Sequence, residues 1–231
     1  MFVIHKKHII IVGLLLAVLL CGCVLLTALA TTAVTVGGMT IVLDAGHGGV
    51  DGGVVGVNSK TKESEINLSI VRYLESELVN AGFKVVLTRK NEGGLYSPTD
   101  KNKKKSDMLK RKQIIEEAKP VAVISVHQNK FPLSSRQGGQ AFFRNDSASG
   151  KALADAIQQE FNALTGNAYS SLKGDYYMLN CTDYPSVIAE CGFLSNPEED
   201  ALLNTEEYQR KVAYALYKGV VAFIAQNVSQ D

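Results

Sequence analysis

Chemistry in this chain is most visible in two histidines and a few acids. Four histidines occur in 231 residues; His5 and His8 flank an apolar stretch, leaving His47 and His127 for any folded domain. Each stands at the C-terminal end of a strand-like run, "IVLDAGH" and "VAVISVH". In open α/β sheets, residues at those ends converge on the crevice where ligands bind. One histidine at a strand end is more often a hydrogen-bonded structural residue than a ligand. Two in matching positions reverse that balance and point to a metal. Catalytic zinc commonly takes two His and one Glu and leaves a fourth position to water. Glu63 and Glu65, at the start of the helix that follows the first strand, both reach back toward the same edge of the sheet. Glu65 serves equally well as a helix-dipole residue. Glu190 closes "SVIAE", an otherwise apolar run with the character of a buried strand. A carboxylate there is costly unless it is paired, for instance with a buried base such as Arg89, or poised for reaction.

Competing chemistries fit less well. The glycine-rich segment "IVLDAGHGGVDGG" invites a phosphate reading, yet from Gly46 the dinucleotide spacing gives Gly46, Gly48 and then Asp51, failing at the third glycine. No Gly-Lys-Ser/Thr follows, and Asp51 would repel a pyrophosphate. The His-Glu-x-x-His helix of zinc proteases and the Gly-x-Ser-x-Gly elbow are both absent. Cys181 and Cys191 have no sequence-adjacent histidine and are no nucleophile. With the rest of the exported part free of cysteine, they read as two unpaired, half-buried thiols, a single bridge being the alternative.

The elements that must position these residues follow from patterning. The composition, 46% hydrophobic and 20% charged, is that of an ordinary globular domain. The net charge of +1 gives no field for nucleic acid, and without Lys6 and Lys7 the other 22 basic and 23 acidic residues leave −1. Residues 9–30, "IIIVGLLLAVLLCGCVLLTALA", are almost wholly apolar. As a helix they reach about 33 Å, enough for a hydrocarbon core of about 30 Å. Lys6 and Lys7 place the N-terminus inside and export the remainder. An uncleaved signal anchor fits the length best; cleavage after Ala30 and lipid attachment at Cys23 are the alternatives. Residues 1–30 are thus the targeting segment, 31–38 a short tether, and 39–231 the catalytic domain.

Within that domain strands and helices alternate. "MTIVLDA", "FKVVLTR", "VAVISVH", "GGQAFFR", "DYYMLN" and "SVIAECGF" read as strands. Ile66, Ile70, Leu74 and Leu78 mark an amphipathic helix stopped by Gly82. "DMLKRKQIIEEAK", a helix capped by Ser147 or Ser149, the "SNPEEDALLN" helix start and a closing helix from "TEEY" complete the set. Lys101–Lys105 read as a solvated loop. The expectation is a single α/β domain with a mainly parallel, mixed sheet flanked by helices on both faces.

Taken in order, "LDAGHGGVDGG", "KESEINL", "ISVHQN" and "PSVIAECGFLSN" resemble the zinc-dependent N-acetylmuramoyl-L-alanine amidases of the amidase-3 family, from about Thr40 to about Gln226. The resemblance implies that His47, Glu63 and His127 are zinc ligands and that Glu190 is the catalytic glutamate. It also selects between the two acids, because the family's Glu stands four before Asn-Leu and Glu63 stands four before Asn67-Leu68. Ala45 in place of a usual Pro, Glu116 in place of a frequent Asn, and Pro120-Val121 in place of Ala-Asp are departures, none at a ligand. The implied reaction is hydrolysis of the amide joining the lactyl group of muramic acid to L-alanine in peptidoglycan. Wall amidases of general action often carry wall-binding repeats. A short anchored catalytic domain looks most like the sporulation amidases that prepare spore-cortex muramic δ-lactam. The expected partners are the peptidoglycan stem peptide, the bacterial membrane through the N-terminal helix, and a membrane-associated activating protein that favours the metal-loaded form. Alternatives are a zinc peptidase or deacetylase acting on another cell-wall bond, and a metal-free wall-binding module.

Overall fold

The computed structural model describes residues 37–228. The expected membrane segment, 9–30, lies outside them; among the described residues no helix is long and apolar enough to cross a membrane.

Six strands form one sheet: β1 (Thr40–Ala45), β2 (Lys84–Leu87), β3 (Ala122–Asn129), β4 (Gln140–Phe143), β5 (Leu172–Lys173) and β6 (Ser186–Phe193), in the order β2-β1-β3-β6-β4-β5. The first four in that order run parallel, and β4 joins β6 antiparallel with β5 parallel to β4. The mixed sheet is therefore a parallel core with a reversed edge. Every residue of β1 and of β6 is buried, which explains why both read as near-continuous apolar runs.

Helices cover both faces. Helices α1 (Glu63–Asn80), α3 (Ala148–Thr165) and α6 (Glu206–Val228) pack together on one side; α2 (Lys103–Ala118) and the short α4 (Tyr177–Asn180) lie on the other, and α5 (Pro197–Leu203) precedes α6. Ile66, Ile70, Leu74 and Leu78 of α1 are buried on its sheet-facing stripe. Ser147 caps α3 by accepting from Gly150 N at 2.9 Å, and the Asn196 side chain caps α5 ahead of Pro197. On the α2 side the core is Val42, Val123 and Ile188 from the sheet against Ile115, Met178 and Leu179.

Two expectations are corrected. "DYYMLN" is not a strand: Tyr177–Asn180 make a single helical turn, and the edge strand β5 is only Leu172–Lys173. The apolar pair Met178 and Leu179 docks side by side on the core as a turn does, whereas a strand would send one of them outward. Lys103–Lys105 are not loop; they form the first turn of α2, where the Asn102 side chain accepts from Lys105 N at 3.0 Å. That cap offsets three cations placed at the unfavourable end of the helix dipole.

Register sets what meets at the C-terminal edge. Asp44 pairs with Ser125, Ser125 with Ile188, and His127 with Glu190. Directly paired residues share a face and alternate residues return to it, so Asp44, His127 and Glu190 all project to the α2 side.

Candidate metal centre and active site

His47 follows the end of β1 in a left-handed conformation, φ 61°. Its Nε2 is 3.2 Å from Glu63 Oε1, and His127 Nδ1 is 2.9 Å from the same oxygen. The two imidazoles meet edge to face, centroids 4.9 Å apart. One ligand atom from each of His47, Glu63 and His127 lies within 4.8 Å of the others, a group able to hold a metal ion. Glu65 is exposed on α1 and takes no part.

The surroundings fit a metal. Two imidazoles and a carboxylate are the donor set of open catalytic zinc sites. Asp51 Oδ1 lies 3.0 Å from His47 Nδ1, holding the ring with Nε2 turned to Glu63. Glu63, 1% exposed, accepts from Val54 N at 2.8 Å through Oε2 and from Gln128 N at 3.1 Å and Asn67 Nδ2 at 3.2 Å through Oε1. The cradle is tight: a Cβ on Gly46 would overlap the His127 ring, and one on Gly53, at φ 68°, would overlap Glu63 Oε2.

Electrostatics separate the two glutamates. Burial alone would raise the Glu63 pKa, but His127 and His47 outweigh it and hold the carboxyl far below the usual range. Burial likewise opposes a charge on His47, yet Glu63 and Asp51 push its pKa up to about 9. Glu190 goes the other way, raised to about 7 by burial and by Glu63 against the opposing pull of His127 and His47. Its Oε2 is buried and has no hydrogen-bond partner among the described residues. Arg89, the base suggested as its structural partner, is committed elsewhere, donating to the carbonyls of Ala45, Gly46, Ser64 and Asn91. A carboxyl titrating near neutrality beside a metal-competent cluster is suited to carrying a proton in both directions.

Beside the cluster lies a cavity of about 280 Å³, walled by the His47 loop, α2 and α4, with Tyr96, Lys104, Met108 and Tyr176 around it. Asp51, Asn67 and Tyr176 were not anticipated as site residues. Asp51 stands four residues after His47, but in a glycine-rich loop that spacing predicts no contact. Cys181 and Cys191 are both free; Cys191 is fully buried rather than half-buried.

An open α/β sheet with two histidines and a glutamate at its C-terminal edge is the arrangement of a metal-assisted hydrolase. Residues 41–222 match the family of N-acetylmuramoyl-L-alanine amidases. The germination-specific N-acetylmuramoyl-L-alanine amidase of Bacillus subtilis (strain 168) is 34% identical over 195 residues, 82% of this chain and 81% of that protein. The CwlD amidase of Clostridioides difficile, solved in complex with the GerS lipoprotein, is 36% identical with a TM-score of 0.77, over 81% of this chain and 98% of that one. The catalytic domain of CwlV, an amidase of Bacillus (Paenibacillus) polymyxa var. colistinus, is 28% identical with a TM-score of 0.71, over 81% and 98%. This chain belongs to the N-acetylmuramoyl-L-alanine amidase family and is a peptidoglycan amidase.

Proposed function

We propose that the protein uses zinc, held by His47, Glu63 and His127, to hydrolyse the amide between the lactyl group of N-acetylmuramic acid and L-alanine, and that it does so in spore-cortex maturation. The observation that carries this reading is Glu190, its Oε2 without a partner among the described residues and its pKa raised to about 7, paired across the sheet with His127 of the three-donor cluster. A bound zinc supplies Lewis acidity, which polarises the amide carbonyl and acidifies the attacking water. Glu190 takes the water's proton and returns it to the leaving amine of L-alanine. Asp51 keeps His47 in the ligating tautomer, and Tyr96, Met108 and Tyr176 line the cavity beside it.

The cortex role is supported by the likeness to the germination-specific amidase and to CwlD. Residues 9–30 hold the catalytic domain, 39–231, at the outer face of the cytoplasmic membrane, and 31–38 tether it. A chain starting at Gly37 is then soluble and folded. CwlD's complex with a lipoprotein supports an activating partner at that membrane surface, binding the metal-loaded form preferentially.

Mass spectrometry of peptidoglycan fragments treated with the zinc-loaded protein tests the reaction. Peptides with a free N-terminal L-alanine and glycan with intact lactyl groups are the expected products. Cleavage between stem-peptide residues, or loss of N-acetyl groups instead, would favour the peptidase or deacetylase reading.

A further inference from the structure

We propose that Arg111 is a positioning residue for the metal centre: its guanidinium fixes the main chain of His47 and so sets how tightly the site holds its metal. The inference rests on His47, Glu63 and His127 being the ligands.

His47 holds a left-handed backbone, φ 61°, in a segment rich in glycine. A side chain other than glycine stays in that region only where its surroundings over-determine it. The restraint comes from two buried guanidiniums. Arg111 donates through Nη2 to His47 O at 2.7 Å and through Nη1 to Ala45 O at 2.9 Å. Arg89 donates to Ala45 O at 2.8 Å, Gly46 O at 3.1 Å and Ser64 O at 2.7 Å. Three consecutive carbonyls, those of residues 45 to 47, therefore each accept from an arginine. Turning the His47 peptide toward an ordinary conformation would break the Arg111 bond and leave a buried donor unpaired.

Arg111 is itself held from two sides. Its Nη1 meets Asp44 Oδ1 and its Nε meets Asp107 Oδ2, each at 2.5 Å. Asp44 is in turn fixed by Ser125 Oγ at 2.5 Å and Thr88 Oγ1 at 2.6 Å, so β1, β3 and α2 all brace one guanidinium. Burial disfavours its charge, but the two aspartates outweigh burial and push the Arg111 pKa up. A lysine could keep one ion pair here. It could not reach His47 O, Ala45 O and both carboxylates from a single ammonium, because only the planar fork spreads donors in those directions.

The two arginines divide the work. Arg89 also ties Ser64, beside Glu63, to the loop, so its loss threatens two ligands and the packing of α1. Arg111 reaches only the His47 loop and its aspartate braces, which makes it the informative position.

The test is zinc affinity of the full-length, detergent-solubilised protein, by competition with a chromophoric chelator. Arg111→Lys is expected to fold and to raise the zinc Kd about 10- to 100-fold, the usual effect of losing an outer partner of a ligand. Turnover at saturating zinc should fall far less than affinity. Ile115→Val is the control: Ile115 is buried on the same helix, in the apolar cluster with Val42, Val123 and Ile188. It should lower the thermal midpoint and leave zinc Kd unchanged. A folded Arg111→Lys protein with wild-type zinc Kd would overturn the proposal. So would an Ile115→Val protein that loses as much affinity, since affinity would then follow helix stability alone. If Arg111→Lys does not fold, Asp107→Asn decides, because it keeps the Asp44 pair, leaves one oxygen for Leu95 N and removes the charged brace on Nε. A raised zinc Kd supports the assignment; an unchanged one refutes it.

Discussion

Replacing Glu190 with glutamine separates reactivity from stability in one experiment. Glutamine is nearly isosteric with the neutral acid but neither ionises nor relays a proton. Glu190 titrates at about 7 in the folded protein against 4.5 for an ordinary glutamate. Between those two values the folded chain holds the proton that the unfolded chain has released. The contribution of Glu190 to wild-type stability therefore falls as pH rises from 4.5 to 7 and then levels off. The gap of 2.5 units, at about 1.36 kcal/mol per unit, sets a loss of about 3 kcal/mol. Glu190→Gln lacks this term. Urea unfolding of both proteins in excess chelator should give matching stabilities near pH 4 and a variant more stable by up to about 3 kcal/mol at pH 8. With zinc restored, the variant should keep its metal and lose turnover by about 10⁴-fold, the upper end for a general acid–base group, because one carboxyl serves both proton transfers. Parallel pH–stability curves for the two proteins would refute the assignment of a buried, uncompensated carboxyl. A folded, zinc-loaded variant with near-normal rate would end the proposed mechanism.

Alanine at His47, Glu63 or His127 should each abolish stoichiometric zinc binding, whereas Glu65→Ala should leave it intact; zinc content after desalting checks both. Because the His47 pKa is raised to about 9 by Glu63 and Asp51 against burial, metal must displace a proton at neutral pH. Zinc affinity should therefore climb between pH 6 and about 9, with proton release measurable by calorimetry in buffers of different ionisation heat. Gly53→Ala places a methyl against Glu63 Oε2 at a positive φ and should weaken zinc binding while leaving far-ultraviolet circular dichroism unchanged.

Sequence alone carried the broad design. Apolar runs ending in His47, His127 and Glu190 specify strands whose C-termini share one edge, because parallel α/β sheets bury both faces and offer reactive side chains only where the strands stop. The helix after β1 was equally legible from its four-residue spacing.

Other features needed the third dimension. Spacing alone left Glu63 and Glu65 equivalent, and in the sequence only the family resemblance separated them. In the helix they lie about 200° apart at 3.6 residues per turn, so one turns to the histidines and the other to water. "DYYMLN" misled because two aromatics in an alternating run mimic a strand, while packing of Met178 and Leu179 on one core decided for a turn. The Asp44–Arg111–Asp107 network joins residues up to 67 positions apart, and nothing in "DMLKRKQ" separates Arg111 from the solvated lysines beside it. Whether a cation on a helix faces water or a buried carboxylate depends on the rotation of that helix against the sheet. That rotation is set by how the whole helix packs on the sheet, a long-range outcome that no local window of sequence contains.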